Sequence, residues 1–294
     1  MADVQAATTT VEAPVSGNAI VRTVREIAGL RRHRDLILTL TSRELRQRYA
    51  GSGLGVAWAV LHPLAIMSIY TIVFTVVFRI RPPGMPTPFH YVIYVMTGLM
   101  PWLAISEAAN KATISLTTNV KLLKQVIFPI EILPVTSVLA SLFGQAVAMS
   151  ASLIMVGVFV RAVGWTLLLL PLAVVCQMMF LAGLAWLLAV AGAAYRDLKE
   201  IVQVVLLGGI YFTPAVYTIE MAPGPLRPLL LANPITHLMN MYRDCFLYGF
   251  HAQQFGQGIQ NPWSFLIFPL IAVAVCMLGW RAFYKAKLII VDMV

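Results

Sequence analysis

The sequence predicts an all-α integral membrane protein, and three observations carry that prediction. Of its 294 residues, 60% are hydrophobic and 11% charged, where a soluble domain carries roughly 25% charged residues. Six apolar stretches read as spans. The Lys and Arg residues are divided unequally between the segments that join them. A net charge of +9 adds affinity for anionic lipid or phosphate.

Residues 1–20 are small and polar and lack a basic region, so they read as a disordered tail rather than a signal peptide. Residues 1–32 together form a cytoplasmic, partly disordered N-terminal segment. Residues 34–50 then predict an amphipathic helix, with Leu38, Thr41, Leu45 and Tyr49 on one face and Arg34, Arg43, Arg46 and Arg48 on the other. Such a helix lies in the headgroup plane with its apolar side down. Two readings fit it. It is a membrane anchor, or its arginines also hold a phosphate-bearing lipid. Gly51, Gly53 and Gly55 follow. Their G-x-G-x-G spacing is not a dinucleotide fingerprint, and what precedes them is helix rather than strand. They serve instead as a sharp turn into the first span.

A helix needs about 20 apolar residues to cross a bilayer. The candidates are residues 54–78, 91–108, 132–160, 165–194, 201–217 and 265–280. The third and fourth are long enough to tilt or to extend beyond the lipid. The fifth is short and holds Pro214, which should break or kink it. With the N-terminus inside, sixteen Lys and Arg fall on the cytoplasmic side. Five fall outside: Arg79, Arg81, Arg161, Arg227 and Arg243. The asymmetry places both termini in the cytoplasm.

Asp, Glu, Lys and Arg are missing from the interiors of these spans, apart from Glu107 at the cytoplasmic end of the second. Buried ionisable groups mark proton or sodium coupling, so the sequence argues against an ion-driven carrier. His62, beside Pro63, reads as a packed polar residue at a kink. Cys176, Cys245 and Cys276 match no metal spacing and form no disulfide framework. A phosphate-cradling G-x-x-x-x-G-K-[ST] and a metal-binding H-E-x-x-H are both absent. Glu107 and Asp197 are isolated, and His237 and Asp244 are too far apart for an acyltransferase pair. The polar loops thus hold no catalytic constellation, and if transport here needs energy another chain must supply it.

Between spans two and three, residues 118–128 predict a short cytoplasmic helix. Asn119 or Thr118 would cap it, Val120, Leu123 and Ile127 would share a face, and Pro129 would end it. Such a helix either docks a soluble partner or rests on the lipid surface.

Several short motifs occur in one order: "RQRYAGSGLGVAW" followed by Pro63, "TGLMPW", "NVKLLKQVIFPIEILP", "YRDL", "FTPAVY", "ANPIT" and "MYRD". Through them the chain, over residues 33–290, resembles the ABC-2 type permease subunits that export lipid-linked polysaccharides, as in O-antigen export and lipopolysaccharide biosynthesis. The resemblance implies a homodimer in the bacterial inner membrane, with two copies of a separate ATPase that bind ATP and Mg. It implies no cofactor in this chain, no nucleic-acid partner, and an undecaprenyl-diphosphate-linked polysaccharide as substrate. Asn119, Lys121, Leu122, Lys124, Phe128, Pro129 and Glu131 would couple to the ATPase. Arg43, Arg46 and Arg48 would meet the diphosphate headgroup among the membrane lipids. Tyr70, Phe74, Tyr211, Phe212 and Tyr217 would line the sugar path, unless they pack between helices. Short re-entrant helices would lie between spans five and six, with Arg243 and Asp244 as polar exit contacts or a local ion pair. Tyr91 and Trp102 read as interfacial belt residues. Relatives exporting capsule or teichoic acid, and a lipid flippase, are the alternatives.

Overall fold

A computed structural model describes residues 19–48, 50–79, 88–123, 128–160, 164–248 and 259–293. All regular structure among these residues is helical. Tyr49, Arg81, Lys124, Ile127, Arg161 and most of the 1–20 tail lie outside the described residues, as does part of the segment before the last span.

The first helix, α1 (Ala19–Gly29), falls in the predicted tail and is ordered by packing on the C-terminal helix. A 3-10 turn, Leu30–His33, leads into α2 (Arg34–Arg48). The buried face of α2 is Ile37 and Thr41, whereas Leu38 is exposed. Thr41 and the half-buried Leu45 are on the packed side as expected, but Ile37 takes the place expected for Leu38. The turn that follows holds Gly51 at φ 81° and Gly55 at φ 52°, a region that glycine enters without the steric cost a Cβ would add. This is the anticipated entry into the first span.

α3 (Trp58–Ile72) has fifteen residues with Pro63 inside it, and a π-helical turn, Val73–Val77, extends it. By itself α3 is shorter than a span. α4 (Pro88–Ile114) is the central helix: 83% of its most apolar stretch is buried, against 28–39% for the other three long helices. α5 (Val120–Leu123) is one turn in the loop between α4 and the next long helix. α6 (Ile132–Met155) and α7 (Leu170–Ala194) match spans three and four.

α8 (Leu198–Gly209) and a 3-10 turn, Ile210–Phe212, make fifteen residues where a fifth span was expected. The helix ends at Thr213, in extended conformation just before Pro214. A residue before proline disfavours the helical region, so the break arrives before a full crossing. The chain then turns inward through α9 (Arg227–Ala232) and α10 (Pro234–Arg243), with a π turn, Asp244–Tyr248. Asn233 caps α10 by accepting from the Ile235 N–H at 2.9 Å, and its amide donates to the Phe212 carbonyl at 3.1 Å. One residue thereby starts one helix and closes the end of another. α11 (Ser264–Met293) completes the fold. Four helices are long and apolar enough to cross a membrane among the described residues, rather than six: those containing α4, α6, α7 and α11.

α7 and α11 pack backbone to backbone. A Cβ on Gly183 would sit 2.4 Å from the Val275 carbonyl oxygen, and one on Gly279 would sit 2.1 Å from that of Gly183. Gly192 meets α4 in the same way, at the Thr113 carbonyl. Small residues at crossings are how helices gain dispersion contact in lipid, where no hydrophobic drive separates helix from tail.

Candidate functional site

At the cytoplasmic end by the charge rule, α2 is fastened to α4 by a chain of charges. Arg48 pairs with Glu107. Lys111 pairs with Glu107 at 2.9 Å and with Glu44 at 3.0 Å. Glu107 is therefore not isolated, and Arg48 is not simply a cation offered to lipid, because its charge is matched within the chain. Each pair is partly solvated, which keeps its individual contribution near 1 kcal/mol or below. The gain is directional: two helices are registered against each other. Above this seam lies a cavity of about 210 Å³, bounded by α2, α3, α4 and α6 and lined by His62, Pro63, Glu107, Asn110 and Gln145 among others. Arg43 and Arg46 face outward and border a shallow recess with Thr39, Ser42 and Gln47.

The loop after α4 differs from its expected capping. The Thr118 hydroxyl donates to the Ile114 carbonyl at 2.8 Å, and the Asn119 amide donates to the Ser115 carbonyl at 2.8 Å. Both side chains satisfy carbonyls left over at the end of α4 instead of capping the next helix. Lys121 is exposed. Leu122 and Phe128 are half-buried against a second core of Leu116, Ile130, Leu133, Trp186, Trp280 and Phe283. Pro129 is half-buried beside them. Glu131 pairs with Lys287 at 2.9 Å, and its carbonyl accepts from the Trp186 indole at 3.0 Å. Trp280 in turn donates to Glu26 of α1 at 2.9 Å. The loop, both ends of the chain and α7 thus share one packed base. Lys124 lies outside the described residues.

The candidate path aromatics form two groups. Tyr70 on α3 stacks with Phe74 in its π extension, with centroids 6.4 Å apart and planes 3° from parallel, and Phe78 continues the row. Tyr211 and Phe212 are exposed at the end of α8, while the Tyr217 hydroxyl donates to the Tyr211 carbonyl at 2.8 Å. Tyr91 and Trp102 are buried, which corrects their reading as belt residues. The Tyr91 hydroxyl donates to the Val216 carbonyl at 2.7 Å, and Trp102 packs on Gly209.

Arg243 and Asp244 are both buried and face different partners. The Arg243 guanidinium donates to the carbonyls of Pro214 and Ala215 and sits 3.6 Å from the Tyr94 ring centroid. It holds together the break after α8. Asp244 accepts from the backbone N–H groups of Asn261 at 3.0 Å and Gln260 at 3.3 Å. Burial pushes its carboxyl up to about 6, against the opposing effect of those N–H groups. The geometry makes the two residues internal ties, not an open polar wall or a pair with each other.

One polar cluster escaped the sequence reading. Gln145 and Gln177 exchange amide hydrogen bonds at 2.8 and 2.6 Å, and the Tyr242 hydroxyl donates to Gln177 at 2.6 Å. All three side chains are buried. They bind α10 to α6 and α7. Their signal in the sequence is a single amide within each of two apolar spans.

The fold and its seams define a multi-pass membrane protein built from a helical bundle. The short loop after α4 and both terminal helices share one base. Residues 35–247 match the model of the ABC-2 type transporter family, and the chain belongs to that family. It is a membrane transport protein. It is 31% identical over 229 residues to the O-antigen export system permease protein RfbA of Myxococcus xanthus, an alignment covering 77% of this chain and 85% of that one. The protein of the same name from Klebsiella pneumoniae is 27% identical, with 73% and 81% covered. The polysialic acid transport protein KpsM of Escherichia coli is 23% identical, with 71% and 80% covered.

Proposed function

We propose that this chain is the permease of an ATP-driven exporter that carries a lipid-linked polysaccharide of the O-antigen type out of the cytoplasm. The observation that carries the reading is the family match over residues 35–247, joined to export permeases whose own lengths are covered to more than four-fifths. In this reading the chain lies in the inner membrane as a homodimer with both termini cytoplasmic. α3 with its π extension, and α8 with the turn after it, complete six passes. The apolar side chains exposed on both, including Ile69, Val76, Val204 and Leu207, are suited to lipid or a second copy. Two ATPase subunits bind ATP and Mg and push on the base around Lys121. That base joins the loop to α7 and α11, so a push there moves the bundle as a unit. Arg43 and Arg46 attract the diphosphate of an undecaprenyl carrier, and Tyr70, Phe74, Tyr211 and Phe212 offer ring faces for a passing glycan. No catalytic step belongs to this chain.

The test is deletion of the gene in its host, with surface polysaccharide and intracellular lipid-linked polymer both measured. The expected result is polymer retained inside and restored to the surface by the wild-type gene. Unchanged surface polymer would remove the reading. The similarity to the polysialic acid transport protein favours a second substrate, a capsular polymer. The identity of the polymer that accumulates decides between the two.

A further inference from the structure

The cavity between α2, α3, α4 and α6 is short of hydrogen-bond donors. Glu107 receives Arg48 and Lys111 on the same oxygen, Oε1. Its Oε2 faces Gly144, 4.0 Å from the point where a side chain on that glycine would begin. Asn110 spends its NH₂ on the Ser106 carbonyl at 2.9 Å, which leaves Oδ1 buried without a partner. The Ser106 hydroxyl is buried without a partner as well. Three acceptors from one stretch of α4 therefore border one cavity. The rest of its wall combines apolar side chains such as Leu45, Ile66, Leu103 and Phe143 with His62 and with Ser141 and Gln145, whose donors are spent on Val138, Gln177 and Tyr242. Asn110 and Met100 both line it. At 1.5 Å per residue they lie about 15 Å apart along α4, half the thickness of a bilayer's hydrocarbon core.

We infer that this cavity binds a membrane phospholipid with a primary-amine headgroup, of the phosphatidylethanolamine type. An ammonium carries three N–H donors and no acceptor, which matches Glu107 Oε2, Asn110 Oδ1 and Ser106 Oγ. A guanidinium has five donors and can serve a carboxylate and a phosphate together, so Arg48 stands beside the phosphate. One acyl chain follows the apolar wall upward. Charge selects the same ligand. Arg48 and Lys111 already balance Glu44 and Glu107, so a zwitterion preserves neutrality while an anionic lipid leaves a negative charge in excess. A choline headgroup has no N–H to give. The site is distinct from the outward-facing Arg43 and Arg46, and it does not depend on which polymer is exported.

The full-length chain in mild detergent, titrated with phosphatidylethanolamine, phosphatidylcholine and phosphatidylglycerol, tests the assignment through its melting temperature. At saturation the amine lipid is expected to raise Tm by about 5 °C, well beyond either other lipid. Gly144→Leu points a side chain into the cavity from α6; its Cβ meets nothing nearer than Glu107 Oε2 at 4.0 Å, and the change improves helix propensity. Its Tm without lipid should hold or rise, while the increment from the amine lipid is lost. Asn110→Leu removes one acceptor and should reduce the same increment. Equal shifts from all three lipids, no shift from any, or a Gly144→Leu variant that keeps the increment would each overturn the site.

Discussion

Gln145, Gln177 and Tyr242 show what a single polar side chain does in an apolar bundle. Each is fully buried, and each is useful only because the other two satisfy it. Removing one leaves the others desolvated. Gln145→Leu should cost about 1–3 kcal/mol, read as a lower midpoint of thermal unfolding in detergent. The double variant Gln145→Leu/Gln177→Leu should cost less than the sum of the two single changes, because it leaves fewer unpaired groups. Glycine acts through the opposite property, the lack of a side chain. Gly183→Val places carbon against the Val275 backbone, so α7 and α11 must separate. A loss of about 3 kcal/mol or more follows, visible as failure to recover folded protein from membranes. Neither role could be read beforehand. An amide in a span and a glycine in a helix look the same in sequence whether or not a partner approaches.

At the level of elements, α2 and the 117–131 loop divide surface from support. Among the described residues, Arg43 and Arg46 of α2 are exposed and make no ion pair to α4, while Arg48 registers α2 against α4. Arg43→Ala/Arg46→Ala should reduce export of the lipid-linked polymer in cells and leave the melting temperature unchanged. Arg48→Ala should lower the melting temperature as well, since Glu107 loses a partner. Adding Glu107→Ala to it should recover part of the loss. In the loop, Lys121→Glu should weaken co-purification with an ATPase subunit without affecting stability. Phe128→Ala should lower both, because that ring helps fill the base. A helix at α2 and a helical turn in the loop were legible from spacing. The face that packs was not, because Ile37 and Leu38 are equally apolar and only the position of α6 decides between them.

Across the whole molecule, long-range order is built at the base. Glu26 reaches Trp280, and Lys287 reaches Glu131. α1 is thereby recruited from a stretch whose own composition reads as tail. Deleting residues 1–29 should destabilise the base and lower the yield of intact protein, measured by size-exclusion of the detergent-solubilised chain, whereas deleting 1–18 should not. The break at residues 212–217 is held from three directions, by Arg243, Tyr91 and Asn233. This lets irregular backbone sit inside the bundle, where its polar groups find protein partners instead of lipid.

The sequence by itself determined the class of protein, the long apolar helices, the glycine turn before α3, the break near Pro214 and the resemblance that the family match upheld. These follow from composition, periodicity and local backbone preference, which each segment carries alone. Only the tertiary structure decided that α8 stops short of a full span, that Arg243 and Asp244 point inward, that Arg48 is matched by Glu107, and that a donor-poor cavity lies above that pair. Those outcomes depend on which side chains from distant segments share a space. A segment's own pattern does not contain its neighbours.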